Sequence, residues 1–477
     1  MSGSSKTGNR SIARNSSYLL GAKVISRGLR LIYAVVLARL FGPELFGLFT
    51  YAQFWHVIFM SLAMFGTGRI LSRQIGSDRS NAESYVGINI SLRLLTSLIG
   101  MLGCGLLALD PGLTPEGRDL LLLFALAVPA RSLASWAQQV FVAFEVAQIG
   151  LRQELAFRSL EVVLGLVALS LGGGLLSVAS IHAVTWMLQA LAGWRLVDSQ
   201  LITVRLDWCR PALMKLATNG AAFMLTGLSL AILMQGGLIL YKLLLDEPGE
   251  LGQLAIVMQA LGLLIMVPKS ISSAALPVLS RWVTEGAGDE QRTMVLMLRT
   301  AIVGAVGLAL LSVVVGPVLI PLLVGVEYQL AAELLGLALW LLLPLSLCVL
   351  INQLMVAHGE FWRASLISVT GALTMLVVML LTLTELGIYS VFLGAAAGAT
   401  LWSALEAWHV VRSGWLSGVD AFVRVGAAVA VAVLSFWLLL DFAPWLALSV
   451  GWLLLLPGLA SPLVLWRRLR SLRVKVD

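Results

Sequence analysis

The chain has 477 residues, of which 59% are hydrophobic and only 12% are charged. A soluble domain carries roughly twice that charged share. The mean hydropathy of +0.94 therefore excludes a soluble protein, and it also excludes a soluble enzyme with a single membrane anchor. The net charge of +7 has to be divided between loops and membrane before it can indicate a partner.

Segments of about 20 mostly apolar residues predict transmembrane helices. The first such segment is too long and too charged for a cleavable signal peptide. Fourteen segments follow one another in chain order: 17–40, 48–72, 85–109, 119–144, 152–174, 176–197, 213–245, 251–279, 293–323, 331–357, 361–383, 387–411, 420–440 and 445–466. The sequence therefore predicts an all-α polytopic membrane protein with 14 transmembrane helices.

The loop charges predict the orientation of these helices. With both termini in the cytoplasm, the loop cations lie mostly on the cytoplasmic side. Arg152 and Arg158, at the start of the fifth predicted span, are counted with the cytoplasmic cations. The outer segments hold only Arg39, Arg118 and Lys242. We expect a multi-pass protein with both termini inside.

The two halves of the chain resemble each other. Pro43-x-x-x-Gly47 recurs as Pro248-x-x-x-Gly252, and further matches keep the same order along the chain: Leu71-Ser72-Arg73 with Leu279-Ser280-Arg281, Pro129 and Gln139 with Pro344 and Gln353, and Trp194 with Trp408. Because the repeat is six helices long, the halves share one orientation. This predicts two six-helix lobes related by a pseudo-two-fold axis along the membrane normal, plus two extra C-terminal helices.

The spans and the repeat together predict the domain organisation. A cytoplasmic tail comes first, a cytoplasmic linker joins the two lobes, and a basic cytoplasmic tail follows the terminal helix pair. The predicted ranges are 1–16 for the first tail, 17–197 for the N-lobe, 198–212 for the linker, 213–412 for the C-lobe, 413–466 for the last two helices and 467–477 for the basic tail.

Charges inside the predicted spans are unbalanced. A charge in the bilayer core is costly, so it should face water, protein or a ligand. Two acids, Glu161 and Glu406, lie clearly inside spans, where each could be a counter-ion or an ion-coupling group. Eight cations lie inside spans: Lys23, Arg27, Arg30, Arg69, Arg93, Arg131, Lys269 and Arg299. Because two acids cannot neutralise eight bases, the excess predicts an anionic ligand or solvating water.

Three of these cations share one face of the first helix. Lys23, Arg27 and Arg30 follow i, i+4, i+7 spacing. Arg30 lies about 18 Å along the helix from Tyr18, near the bilayer midplane. Snorkelling to the interface suits Lys23 as well as a cavity does, but it suits Arg30 poorly. We therefore expect Arg27 and Arg30 to line a cavity.

The remaining cations lie farther along the chain. Arg93 and Arg131 are interpreted as cavity residues, with burial against Glu161 or backbone carbonyls as the alternative. Lys269 follows Pro268, where a broken helix would expose carbonyls, and both roles stay open.

Two cations lie near the cytoplasmic ends of their spans, and the histidines are scattered. Arg69 and Arg299 could snorkel or line the cavity, and Arg299 is kept among the substrate-binding candidates. The four histidines form no set of metal ligands, and His182 is interpreted as a packing residue.

The segment after the first span carries a family signature. Residues 38–49 read Ala-Arg-Leu-Phe-Gly-Pro-Glu-Leu-Phe-Gly-Leu-Phe, and Phe65-Gly66-Thr67-Gly68 follows, with Arg73 after it. This pattern resembles polysaccharide-biosynthesis flippases of the multidrug/oligosaccharidyl-lipid/polysaccharide exporter superfamily. The resemblance implies a transporter that moves an undecaprenyl-diphosphate-linked oligosaccharide from the cytoplasmic to the periplasmic leaflet of a bacterial inner membrane by alternating access.

The resemblance also implies a cationic central cavity, which Arg27, Arg30, Arg93 and Arg131 fit. The implied partners are a polyprenyl-diphosphate-linked glycan, membrane lipids and other polysaccharide assembly proteins, without nucleic acid. No cofactor or metal is expected, and coupling to a proton or sodium gradient stays open. The chain departs from many relatives at residues 233–236 in the seventh span, which contain no Asp.

Two other functions are alternatives to the flippase. A cation-drug antiporter of the same superfamily would need an acidic cavity, which the embedded charges oppose. A membrane glycan polymerase or ligase would need catalytic groups in a large outer loop, and every predicted outer segment is short. No ATPase or metalloprotease motif occurs. The chain is therefore predicted to be a transporter and not an enzyme.

Overall fold

A computed structural model describes residues 4–245, 247–285, 289–416 and 419–459. Every regular element within these ranges is helical, which confirms the all-α prediction. The chain forms two compact units, Met1–Gly252 and Gln253–Asp477. The predicted lobe and linker boundaries stay predictions.

The helices of the first unit pack around a central helix. This helix, α4 (Pro115–Ala143), contacts the first, third and sixth helices of the unit. Its N-terminus is capped by Thr114, whose Oγ1 accepts a hydrogen bond from Gly117 N at 3.1 Å. The helices are α1 (Ser4–Met64), α2 (Thr67–Ser77), α3 (Ala82–Leu106), α4 (Pro115–Ala143), α5 (Ala147–Ser170), α6 (Leu175–Gln200), α7 (Arg210–Ala231), α8 (Gly237–Leu244) and the start of α9 (Pro248–Leu264).

The first helix runs through what the sequence predicts as two spans. It is kinked at Gly42, which has φ 71° and precedes Pro43. Only glycine adopts such a φ at low cost, and proline has no N–H to continue the helical ladder. The helix then ends where Phe65 and Gly66 take φ values of 45° and 63°. The second predicted span, 48–72, is therefore interrupted at Phe65 and Gly66, and α2 begins after this break at Thr67.

The two Pro-x-x-x-Gly motifs of the repeat meet inside the first unit. A Cβ on Gly47 would lie 2.7 Å from Gly252 N, and a Cβ on Gly252 would overlap the carbonyl group of Pro43. Only a residue without a side chain permits this backbone approach. The repeated motif thus marks a contact between α1 and the first turns of α9.

The seventh predicted span is one helical run with an irregular turn. The run covers Arg210–Leu244, and a π-helical turn at Ile232–Gly236 separates α7 from α8. This turn coincides with the stretch that lacks the Asp of many relatives. A π-helical turn inserts an extra residue into the helical ladder and is frequent at functional sites.

The second unit contains the remaining helices. Its apolar core includes Trp282 and Met355 in one cluster and Phe436 and Leu310 in another. The helices are α10 (Met266–Glu285), α11 (Asp289–Val324), α12 (Gln329–Ala338), α13 (Leu342–Ala357), α14 (Phe361–Leu386), α15 (Tyr389–Arg412), α16 (Val419–Leu440) and α17 (Pro444–Leu459), with the rest of α9.

Ten helices within the described residues are long and apolar enough to cross a membrane, and Val425–Leu440 and Pro444–Leu455 are shorter apolar helices. The count of fourteen stays a prediction. Helix α3 shows the amphipathic pattern of a lipid-facing helix: it buries Arg93 and Ser97 but exposes leucines on its other side, at Leu95, Leu98, Leu102 and Leu106. Such an apolar surface suits acyl chains and not water.

Candidate functional site

The cations on the first helix are only partly described. The side chains of Lys23, Arg27 and Arg69 lie outside the described residues. Arg30 is described, and its side chain is about one-third exposed. It points toward α5, where it meets a carboxylate.

Helix α5 supplies a row of charged residues, of which the sequence analysis had singled out only Glu161 as a site candidate. Glu154, Arg158 and Glu161 follow i, i+4, i+7 spacing and so lie on one helix face. Arg158 is only 1% exposed. It lies eleven residues into a continuous helix and so does not belong to a loop, and its place on the cytoplasmic side stays a prediction. Arg152, which shares that prediction, is exposed.

Glu154 is the centre of a polar network. Its Oε1 accepts hydrogen bonds from Ser26 Oγ at 2.8 Å and from Arg30 Nη2 at 3.5 Å. Its Oε2 accepts from Gln138 Nε2 at 2.7 Å and from Gln189 Nε2 at 3.1 Å. Four donors from α1, α4 and α6 thus converge on one carboxylate, which fixes it between these helices.

Glu161 forms a second node about two turns farther along α5. Its Oε2 accepts a hydrogen bond from Arg158 Nη1, and its Oε1 lies 2.5 Å from His182 Nδ1. Arg158 also donates from Nη2 to Gln189 Oε1 at 3.0 Å, which joins the two nodes. Glu161 is therefore ion-paired with Arg158, and the choice between a counter-ion and an ion-coupling group stays a prediction. This geometry also places His182 in an ion-binding network, which the packing interpretation had not anticipated.

Three guanidinium groups surround one indole ring. The Cζ atoms of Arg158, Arg131 and Arg30 lie 3.8, 5.2 and 5.5 Å from the centroid of the Trp186 ring. Each distance is within the range of a cation–π contact. The electron-rich ring lets three like charges approach one another. With Glu154 and Glu161 as the acids of this network, the cluster keeps one positive charge in excess when its histidines are neutral.

Several donors of this cluster have no partner within the described structure. They are Arg30 Nε, Arg158 Nε and Trp186 Nε1, and all three atoms are buried. A buried donor without an acceptor is costly, and each specific case requires an explanation. A positive cluster with unused N–H groups has the chemistry to bind an anion.

Arg93 lies apart from this cluster. It is 0% exposed, and it donates from Nε to Thr67 Oγ1 at 3.1 Å, from Nη1 to Ser132 O at 3.0 Å and from Nη2 to Gln139 Oε1 at 2.6 Å. These acceptors are neutral, and together they use all three nitrogens of the guanidinium group. The sequence analysis gave burial of Arg93 against backbone carbonyls as an alternative, and one of the three acceptors, Ser132 O, is a backbone carbonyl. The geometry favours a role in joining α2, α3 and α4.

The other candidates lie in the second unit. Lys269 is half-buried on α10, and its backbone carbonyl accepts a hydrogen bond from Ser273 Oγ at 2.8 Å. Arg299 is half-buried on α11, and its Nε has no hydrogen-bond partner in the described structure. Glu406 is buried on α15 and accepts a hydrogen bond from Asn352 Nδ2 at 2.8 Å. No ion pair joins Glu406 to a cation among the described residues.

Sequence reasoning missed Glu154, Arg158, His182 and Trp186 as members of the site. A signal for the α5 residues was present, because Glu154, Arg158 and Glu161 repeat the spacing of the three cations on the first helix. The histidine and the tryptophan gave no such signal, since their role depends on how α6 packs against α5. Within the described residues, no group of three His, Cys, Asp or Glu side chains could hold a metal ion.

Several solved structures are similar to this chain, at sequence identities that show the fold alone. One is an inward-facing multidrug resistance MATE family transporter of the MOP superfamily, with 16% identity, a TM-score of 0.65 and coverage of 84% of this chain and 94% of the other. Another is lipid II flippase MurJ in an inward closed conformation, with 14% identity, a TM-score of 0.66 and coverage of 94% and 98%.

A third similar structure is a MOP superfamily transporter from Pyrococcus furiosus, described as having reverse polarity of its binding pocket. It shows 16% identity, a TM-score of 0.56 and coverage of 88% and 96%. The sequence itself identifies the family, because residues 12–283 match the model of the polysaccharide biosynthesis protein family. The chain belongs to this family. No curated protein matches it with significant sequence similarity.

Proposed function

We propose that the protein is a flippase that moves an anionic, polyprenyl-diphosphate-linked oligosaccharide from the cytoplasmic to the periplasmic leaflet of a bacterial inner membrane. The two units would alternate between inward-open and outward-open states. The prenyl chain would stay in lipid while the diphosphate contacts the cationic cluster. The observation that carries the proposal is the group of three arginines around Trp186, which the cluster balances with only two acids, Glu154 and Glu161.

The chemistry of the cluster suits a diphosphate. A guanidinium group presents paired N–H donors that match two phosphate oxygens, and charge-assisted bonds of this kind are stronger than neutral ones. Arg30 and Arg131 are both only partly buried, so these two can meet a ligand. Arg158 is buried behind them and supplies charge. Glu154 holds Arg30 in place, and a bound diphosphate would replace this weak 3.5 Å pairing.

The charge of the cluster argues against a cation-drug antiporter. A cationic drug would meet three guanidinium groups against two carboxylates, and both acids are already paired within the cluster. Membership of the polysaccharide biosynthesis family also supports a glycan-linked cargo over a drug.

The test combines binding and transport. Arg30→Ala and Arg131→Ala are made separately, with Arg152→Ala as the matched control, because Arg152 is exposed on the neighbouring α5. Each variant is expressed at matched level in a panel of flippase-deficient strains, and surface polysaccharide output is measured. Purified protein in nanodiscs is tested for binding of a polyprenyl diphosphate.

We expect Arg30→Ala and Arg131→Ala each to weaken polyprenyl diphosphate binding by about tenfold or more, since a charge-assisted hydrogen bond contributes about 1.5–3 kcal/mol. Surface polysaccharide output should fall in parallel, and Arg152→Ala should match the wild type. Normal output and binding in both cluster variants would overturn the proposed function of the cluster.

A further inference from the structure

Two buried histidines stand next to the arginine cluster and have no role in the proposed binding of the diphosphate. His56 on α1 is 0% exposed and His182 on α6 is 7% exposed. Their ring centroids lie 5.8 Å apart. Both rings also contact Phe124, at centroid distances of 5.7 and 5.2 Å, so the pair is enclosed by aromatic surface.

The hydrogen bonds fix the tautomer of each ring. His56 Nδ1 lies 2.9 Å from the carbonyl oxygen of Phe124. Since a carbonyl oxygen only accepts hydrogen bonds, Nδ1 must carry the proton. His182 Nδ1 lies against the Glu161 carboxylate, and the same reasoning makes it the donor. In each neutral ring, Nε2 is therefore the unprotonated nitrogen.

Both Nε2 atoms are buried and have no hydrogen-bond partner within the described residues. An imidazole with its Nδ1 proton committed and its Nε2 unused can accept one proton at Nε2. Histidine is the side chain whose ordinary pKa makes such uptake possible between pH 5 and 8. The geometry thus provides two proton-accepting positions side by side.

The surrounding charges determine when a proton at Nε2 of these histidines is favoured. Glu161, on α5, attracts a positive charge on His182, and Glu154 lies farther along the same face. Three arginines repel a positive charge on His182: Arg158 on α5, Arg131 on α4 and Arg30 on α1. All three border Trp186, and the Trp186 ring lies 6.2 Å from the His182 ring. An anion bound to the arginines would cancel part of this repulsion. Protonation and anion binding would then favour each other, and such linkage is reciprocal.

We propose that the His56–His182 pair is a proton-binding site that takes up a proton when an anionic ligand binds to the arginine cluster. The proton comes from the solvent and bonds to Nε2 of one ring, with Glu161 as the counter-ion. This inference rests on the proposed diphosphate binding and adds a coupled ion to it. The carboxylate stays ionised throughout, so the imidazole is the group that changes charge.

The first experiment measures protons directly. Inorganic diphosphate and a polyprenyl diphosphate are each added to purified protein in weakly buffered solution at pH 6 to 7, and proton uptake is followed with an indicator dye. The variants are His182→Asn and His56→Asn, since asparagine keeps a donor near the Nδ1 position and lacks Nε2. The control is His358→Asn in the second unit, whose ring stacks on Trp415 instead.

For the wild type and the control, we expect uptake of about one proton per bound polyprenyl diphosphate. Affinity should rise by up to about tenfold per pH unit as the pH falls. Both histidine variants should bind the ligand with reduced proton uptake, and uptake equal to that of the wild type in both variants would overturn this inference. Binding by the wild type without proton uptake would overturn this inference and leave the flippase proposal standing, whereas absence of binding would overturn both. Uptake with inorganic diphosphate alone would show that the prenyl chain is not needed.

A second measurement does not depend on ligand binding. The chain has only four histidines, so selective ¹⁵N-histidine labelling gives a spectrum that the asparagine variants can assign. The inference requires the Nδ1–H tautomer of His56 and His182 in the unliganded protein at pH 8. An Nε2–H tautomer at both positions would overturn it.

Discussion

Removal of Arg158 tests whether the α5 charges form one buried network. In an Arg158→Met variant, the straight apolar side chain keeps most of the volume, but Glu161 loses its ion-pair partner and Gln189 loses a donor at 3.0 Å. His182 remains beside Glu161. We therefore expect destabilisation and not complete unfolding.

The expected loss of unfolding free energy follows from the burial of the Arg158–Glu161 ion pair. Arg158 is 1% exposed and Glu161 is 8% exposed. Removing one partner of a buried ion pair costs about 3–5 kcal/mol, because the remaining charge stays buried and uncompensated. Since His182 partly compensates Glu161, we expect a loss near 3 kcal/mol. Replacing both charges, as Arg158→Met with Glu161→Met, should recover most of this loss, since well-packed apolar replacements of a buried pair are often neutral.

The assay is thermal and denaturant unfolding of detergent-purified protein. Arg152→Met serves as the control, because Arg152 lies on the same helix but is exposed, and its variant should stay within about 0.5 kcal/mol of the wild type. The reasoning is refuted by a single Arg158→Met variant as stable as this control. It is also refuted if the double variant is no more stable than the single one.

Two further predictions concern packing. Gly252→Ala should lower the unfolding temperature strongly, because the new methyl group would overlap the Pro43 carbonyl. The control Gly249→Ala should be neutral or stabilising, because nothing lies within 4 Å of its Cβ position. Equal stability of the two variants would contradict the close approach of Gly252 to Pro43. Arg93→Met should cost about 1–3 kcal/mol of unfolding free energy, because it leaves buried acceptors such as the Ser132 carbonyl oxygen unpaired. Polysaccharide output per folded molecule should stay normal. A selective loss of output at normal stability would show instead that Arg93 binds cargo.

The sequence by itself determined the class of structure. In lipid, helices satisfy all the backbone hydrogen bonds of an apolar run within the run itself, and every regular element among the described residues is helical. The Ala38–Phe49 signature led to a family that the match over residues 12–283 confirms. The excess of embedded cations also came from the sequence, because counting charges in apolar segments needs no knowledge of which helices are neighbours.

Only the tertiary structure decided which charges act together. Arg93 and Arg131 looked alike in the sequence. In the structure, the guanidinium group of Arg93 donates hydrogen bonds to Thr67, Ser132 and Gln139, whereas that of Arg131 lies over the Trp186 ring. Periodicity places a side chain on a face of its own helix, but the partner of that face depends on how the helices pack. The network around Trp186 joins α1, α4, α5 and α6, so it exists only once these helices have assembled.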